Sequence, residues 1–230
     1  MLPPLMNESV FIVIPCYRED PTVVARTIAP LLQEGYRVVL VDDGSPEPLR
    51  LPGKPVTILR HPLNRGQGAA LQTGDEYALS HGAEAVVHFD GDGQHDAAAI
   101  PPALELLRSR QADAVLGSRF LRPEDTAAVP PKRRRLLRLA RLVNGILTGV
   151  WLTDAHNGFR VLSAKALRAL DLREDRMAHA TELPAQLKKA GLRWKELPIR
   201  VAYTEYSQKK GQRFWSALEI LSDLLLERWL

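Results

Sequence analysis

The chain contains one cysteine, Cys16, among 230 residues. A single cysteine closes no disulfide within a chain, so a disulfide-stapled scaffold is excluded and a reducing compartment is the expected setting. The N-terminus shows no basic region followed by an apolar core, so no signal peptide is expected. No stretch approaches the ~20 apolar residues of a membrane-spanning helix. The chain is therefore not expected to cross a membrane by itself, although it can lie on one. Two nucleotide-binding signatures are also missing. The segment Asn64-Arg65-Gly66-Gln67-Gly68 lacks the Lys-Ser/Thr ending of a Walker loop. No Gly-x-Gly-x-x-Gly follows the first apolar run, which excludes a dinucleotide fold. Internal repeats and separate linkers are absent too.

What is present is ordinary globular composition, with 45% hydrophobic and 25% charged residues. The length suffices for one sizeable core. Net charge is +4, from 31 Lys and Arg against 27 Asp and Glu. That excess is compatible with anionic partners but identifies none, and no nucleic-acid partner is expected. The local distribution says more: Lys132, Arg133, Arg134, Arg135, Arg138 and Arg141 crowd one short segment.

Short apolar runs closed by turn residues predict strands over 10–14, 38–41, 56–59, 85–89 and 114–116. Helices are expected over 22–33, 68–80, 98–109, 133–148, 164–170 and 181–190, with extended chain over 194–201. Residues 119–131 read as a mobile loop and 154–160 as a turn-rich motif. The alternation implies an α/β fold, a mostly parallel sheet with helices on both faces. Ligands in such sheets bind beyond the carboxyl ends of the strands. Asp42-Asp43 and Asp90-Gly91-Asp92 both fall there, so the two acidic clusters are expected to meet.

Asp90 and Asp92 are the sharpest candidates. Two carboxylates two residues apart in a glycine turn can hold a hard cation, with a diphosphate completing the shell, or can simply form a solvated turn. Asp43 can accept from a base N–H or ribose hydroxyl, or it can cap a turn. Arg65 precedes a helix whose N-terminus favours anions. Arg119 follows a strand and either reaches the mouth of the site or lies on the surface. Asp154, His156, Asn157 and Arg160 form a polar cluster, and His179 and Glu182 add a second. Each can orient a ligand, relay a proton or satisfy a core network. Tyr203, Tyr206, Lys209 and Lys210 make a basic, aromatic stretch that can close over a phosphate or remain a solvated loop.

Seven segments carry a resemblance: FIVIPCYRE (11–19), VVLVDDGS (38–45), NRGQGAALQTG (64–74), VVHFDGDGQHD (86–96), AVLGSRF (114–120), DAHNGFR (154–160) and YTEYSQKKGQ (203–212). Together they resemble the family 2 glycosyltransferases of GT-A fold. They are most like the dolichyl- and polyprenyl-phosphate sugar transferases and their relatives in bacterial surface-polysaccharide assembly. The resemblance implies a Rossmann-like GT-A domain over 1–212 and a C-terminal amphipathic helix over 213–230. It implies that Pro15, Tyr17 and Glu19 line the nucleotide pocket and that Asp43 contacts the base or ribose. Asp90 and Asp92 would hold Mg²⁺ or Mn²⁺ on the diphosphate, Gln94 would lie on the sugar or acceptor side, and Arg119 would meet a phosphate; Lys209 of the basic stretch is a further phosphate candidate, read from its charge alone. The implied reaction is inverting transfer from a nucleotide-sugar donor.

Three departures stand out. Lipid-phosphate members often carry C-terminal spanning helices, which this chain lacks. His156 occupies a position where many relatives have serine or threonine. Residues 206–212 replace an Arg-x-x-Gly-x-Ser-Lys pattern. Two acceptors stay open. A polyprenyl phosphate is already charged and needs positioning, which Arg119, Arg133 and Lys209 can supply. A glycan hydroxyl needs a base, for which Asp154 and then Glu182 are the candidates. A non-catalytic nucleotide-binding subunit and a nucleotidyltransferase are the further readings, the latter disfavoured by Tyr17-Arg18-Glu19 where a lysine-bearing glycine loop is wanted. The segment 133–143 mixes Arg134, Arg138 and Arg141 with Leu136, Leu139 and Val143 on separate helical faces. It suits a peripheral position at the cytoplasmic face of a membrane. The apolar face of 213–230 suits the core, a twin subunit in a homo-oligomer, or a small integral-membrane partner.

Overall fold

In the computed structural model, which describes residues 7–172 and 178–202, seven strands form one sheet. They are β1 (Val10–Cys16), β2 (Arg37–Asp42), β3 (Thr57–Arg60), β4 (Ala85–His88), β5 (Ala114–Ser118), β6 (Arg160–Ser163) and β7 (Trp194–Pro198). Their spatial order is β3-β2-β1-β4-β6-β5-β7. β6 runs antiparallel to both neighbours, and every other pairing is parallel.

Helices cover both faces, as the strands require. Side chains alternate along β1, so Val10, Ile12 and Ile14 pack in one core with Val24, Ile28 and Leu31 of α1 (Pro21–Gln33) and Ile100 and Leu104 of α3 (Ile100–Arg108). Phe11 and Val13 face the other core, against Ala70 and Leu71 of α2 (Gln67–Ser80). α4 (Pro123–Ala128), α5 (Pro131–Thr148), α6 (Ala164–Ala169) and α7 (His179–Lys189) are the other α-helices among the described residues, with α6 and α7 packing into the second core through Leu167, Leu183 and Leu187.

Local chemistry explains the element ends. Asp20 caps α1 by accepting from the Thr22 backbone N–H at 2.8 Å, and Pro21 occupies the first helical position, where its missing N–H costs nothing. Gly149 ends α5 in the left-handed conformation, its N–H returning to the Gly145 carbonyl.

Two expectations need correction. Residues 119–131 are not wholly loop, because 123–128 form α4. Proline starts that helix, and Glu124 and Asp125 in its first turn complement the helix dipole. Strand β6 is an addition: the turn-rich motif takes in only its first residue, Arg160, and no element is expected over 161–163. Only four residues long and led by a buried arginine, it has no alternating pattern of its own, and its partners β4 and β5 are remote in sequence. The terminal helix expected over 213–230 lies outside the described residues.

Candidate active site

Because β1, β2 and β4 are parallel neighbours, their carboxyl ends emerge side by side. Tyr17, Asp43 and Asp90 follow those ends. They line one cleft of about 300 Å³ with Pro15, Glu19 and Asp92. The two acidic clusters meet there as expected. Arg18, in the middle of the first loop, has φ 53°, a strained value for a non-glycine residue, and its N–H is held by the Ser45 hydroxyl at 2.9 Å.

Asp43 is bound more tightly than the sequence suggested. One carboxylate oxygen meets His61 Nδ1 at 2.7 Å and the Arg65 N–H at 3.0 Å. The other accepts from Asn64 Nδ2 at 2.9 Å and from the Gly66 N–H at 2.7 Å. A carboxylate has about four acceptor sites, and the protein fills four. Asp43 therefore staples loop 64–66 against β2, and it shapes that side of the cleft through the loop. Asp42 serves the turn that follows, accepting from the Ser45 and Leu49 N–H groups. Arg65 contributes its backbone to the staple, whereas Asn64, Gly66 and Gln67 line the cleft. The N-terminus of α2 thus opens onto it, presenting unpaired N–H groups and the positive end of the helix dipole to any anion bound there.

Asp90 and Asp92 form the floor. His95 Nε2 lies 2.8 Å from Asp90 Oδ2, and Gln67 Nε2 approaches Oδ1 at 3.4 Å. Burial would raise the Asp90 carboxyl, but His95, Arg160 and Arg119 outweigh it and hold the pKa below its ordinary value. Asp92 goes the other way. Burial, and then repulsion from Asp90, push it up to about 6. Two oxygen-donor carboxylates that repel each other in a partly desolvated turn fit a hard divalent cation between them. Among the described residues no three His, Cys, Asp or Glu side chains converge as a complete metal site. A cation here would take its remaining ligands from a bound molecule.

The wall beside Asp90 is the loop 154–159. Gly158 lets the loop approach Asp90 closely, since a Cβ there would lie 2.6 Å from Asp90 Oδ2. Phe159, fully buried, packs edge-on against Phe89. Two residues before it, Asn157 Oδ1 accepts from the Phe159 N–H at 2.8 Å and fixes the turn. Arg160 is buried on β6 opposite His88 of β4. Burial lowers its pKa to about 10 against the opposing pull of Asp90, Asp75 and Asp154.

Arg119 and Asp154 find each other. Arg119 Nε and Nη2 donate to the two Asp154 oxygens at 2.6 and 2.8 Å, and the Arg119 N–H adds a third bond at 3.1 Å. Both side chains are buried. Burial would raise the Asp154 carboxyl, but Arg119 overrides it and lowers the pKa. A carboxylate so paired is a weak base, which removes the reason for preferring Asp154 in that role. His156, pushed down to about 4 by burial, is neutral at ordinary pH. Gln94 is buried and gives its N–H to Asp92 at 3.0 Å. Glu182 lies on α7, where it accepts from Gln186, and does not line the cleft. Lys209 and the stretch 203–212 lie outside the described residues. Sequence reasoning missed His61, His95 and Gly158 as site residues. Their only signals were a histidine just past a strand end, another five residues after Asp90, and a glycine inside the turn-rich motif 154–160.

The sequence profile of "Glycosyl transferase family 2" matches residues 11–171. The chain belongs to this family. An uncharacterised protein of Methanocaldococcus jannaschii is 31% identical, covering 96% of this chain and 93% of its own length. A UDP-N-acetylglucosamine–dolichyl-phosphate N-acetylglucosaminyltransferase of Methanococcus voltae is 28% identical, covering 96% and 97%. An undecaprenyl-phosphate mannosyltransferase of Micrococcus luteus is 30% identical, covering 75% and 74%. Among solved structures, glucosyl-3-phosphoglycerate synthase of Mycobacterium tuberculosis, in complex with Mn²⁺ and UDP-glucose, superposes with a TM-score of 0.66 over 95% of this chain and 78% of that one, at 18% identity. At that identity the likeness concerns the fold. It agrees with a GT-A architecture, and the family 2 glycosyltransferase likeness to polyprenyl- and dolichyl-phosphate sugar transferases holds over nearly the whole chain.

Proposed function

We propose that this glycosyltransferase moves a sugar from a nucleoside-diphosphate sugar to the phosphate of a polyprenyl carrier, with inversion, at the cytoplasmic face of a membrane. The observation that carries the reading is the cleft itself, which holds the carboxylates of Asp90 and Asp92 together with the N-terminus of α2. Its polar groups match a diphosphate and a cation. Mg²⁺ or Mn²⁺ held by Asp90 and Asp92 would offset the charge that develops on the departing diphosphate. Around it, the first turn of α2 would direct its backbone N–H groups, and Gln67 its side-chain amide, at the phosphates. The bond between the anomeric carbon and the diphosphate oxygen breaks, its electron pair leaving with the diphosphate. An acceptor oxygen forms the new bond from the opposite face.

The Arg119–Asp154 pair supports this choice of acceptor. A hydroxyl must lose its proton, and Asp154 is poorly placed to take it. A phosphate monoester is already ionised and needs no base. The M. voltae and M. luteus relatives, both named for transfer to lipid phosphates, support the same reading. The test is transfer from a panel of UDP-, GDP- and dTDP-sugars to polyprenyl phosphate with Mg²⁺ or Mn²⁺. Transfer to free glycan hydroxyls alone would refute the acceptor, and no nucleotide binding at millimolar concentration would refute the donor.

A further inference from the structure

Exposed large apolar side chains among the described residues are few, and half of them sit together. Leu139, Leu142 and Ile146 of α5 are 51, 48 and 66% exposed, and Trp151 just beyond the helix is 60% exposed. Spacings of three and four put the first three on one stripe of the helix. The opposite side of α5 carries the buried Asn144, and Leu136 and Val143 are half-buried. This reverses part of the face assignment made from sequence, in which Leu136 and Val143 stood with Leu139. Trp151 is held at the end of the same stripe. A Cβ on Gly145 would meet its ring at 2.5 Å, so the indole lies directly on the helix backbone.

Cations surround these residues. Arg135, Arg138 and Arg141 are all exposed. Arg135 lies four residues before Leu139 and continues the stripe, while Arg138 and Arg141 border it on one side. Apolar side chains and an indole framed by guanidinium groups match one environment in both halves, the boundary between anionic headgroups and acyl chains. The surface also leads to the site. Val150 and Leu152 are buried on either side of Trp151, and Thr153 and Asp154 follow. Thr153 bonds the Ser118 hydroxyl at 2.6 Å, and Asp154 pairs with Arg119. Three residues span at most roughly 10 Å, so Trp151 stands close to the wall of the cleft.

We propose that the outer face of α5, with Trp151 at its end, docks on an anionic phospholipid surface and brings the cleft to a lipid-borne acceptor. This rests on the proposed polyprenyl-phosphate acceptor, but it is tested separately. The full chain is floated with vesicles of phosphatidylcholine, with and without phosphatidylglycerol, at low and high salt. The expected result is co-flotation with anionic vesicles only, weakened by salt because the headgroup attraction is screened. Arg135→Gln, Arg138→Gln and Arg141→Gln combined should lower partitioning about 100-fold, each arginine contributing a factor of about five. Leu142→Ser with Ile146→Ser should abolish whatever binding survives high salt. Unchanged far-ultraviolet circular dichroism and thermal midpoint show that the variants fold.

Flotation that ignores phosphatidylglycerol, or that both variants retain, overturns the proposal. So does a dimer, seen by light scattering, that Leu142→Ser with Ile146→Ser dissociates, because the face would then belong to a second copy. A parallel assay uses a short, water-soluble isoprenyl phosphate as acceptor. Transfer to it without flotation refutes the docking surface and upholds the acceptor. Flotation with no transfer to any prenyl phosphate, from any donor of the panel, does the reverse.

Discussion

Gly158→Ala is the smallest change that should disable the site without unfolding the protein. The added methyl would stand 2.6 Å from Asp90 Oδ2 and 2.9 Å from Oδ1. Ordinary contact begins near 3.4 Å, so one partner must retreat by about 0.8 Å. Asp90 cannot swing away cheaply, because His95 holds Oδ2 at 2.8 Å. The loop cannot either, because Asn157 and the buried Phe159 fix it on both sides. Overpacking of this kind costs about 1–3 kcal/mol of stability. A displacement near 1 Å in the reacting constellation costs about 100-fold in rate. The assay has two parts: sugar transfer with the best donor of the panel, and Mn²⁺ affinity by electron paramagnetic resonance in the presence of the nucleotide. The expected outcome is a turnover loss near 100-fold, with weakened Mn²⁺ binding and a modestly lowered thermal midpoint. Turnover and Mn²⁺ affinity both within a few-fold of wild type would show that Asp90 need not hold its place, and the reasoning about the cleft floor would fall with it.

Other outcomes are expected from the same geometry. Asp92→Asn should lower turnover by at least ~100-fold by weakening the hold on the cation, and full activity in excess chelator would contradict this. Arg119→Ala should destabilise the fold by about 3–5 kcal/mol in urea unfolding, because it leaves Asp154 buried and unpaired. Pairing it with Asp154→Ala should recover part of that loss, and strict additivity would argue against the ion pair. Asp113 accepts from the Arg193 N–H at 2.9 Å and from Lys165 Nζ at 3.1 Å. Those partners outweigh its desolvation and lower its pKa to about 2. A depressed carboxyl stabilises the fold fully above its unfolded pKa and loses that contribution as pH falls through the folded value. The difference in thermal midpoint between wild type and Asp113→Asn should therefore be largest near neutrality and shrink between about pH 4 and pH 2. A difference independent of pH would assign the effect to packing.

Much of the architecture was legible because parallel strands leave a strong trace. β1, β2 and β4 are buried on both faces, so each reads as a continuous apolar run ending in turn residues. Once those runs are taken as parallel neighbours, Tyr17, Asp43 and Asp90 must share one edge, and they do. β6 left no such trace. Its place between β4 and β5 depends on pairings some 70 and 45 residues away in the chain, which no local pattern records. Among the described residues the helices lie within a residue or two of their expected bounds, except α4, whose cue is chemical and lies in one proline and two carboxylates.

The site shows where motif reading stops. A motif says which residues gather, and Pro15, Tyr17, Glu19, Asp43, Asp90 and Asp92 did gather. It does not say how the hydrogen-bonding capacity of each is divided. Asp43 has the position expected for a base contact, yet its carboxylate is filled by His61, Asn64, Arg65 and Gly66. Asp154 and Arg119 were each cast as an independent actor, base and phosphate contact, and the fold sets them against each other. An acid and a cation separated by 35 residues carry no sign of their pairing until β5 and the 154–159 loop are brought side by side. While Arg119 holds Asp154 charged and occupied, Asp154 itself is a poor base for a hydroxyl acceptor, and the proposed acceptor, which arrives already ionised, does not call on it.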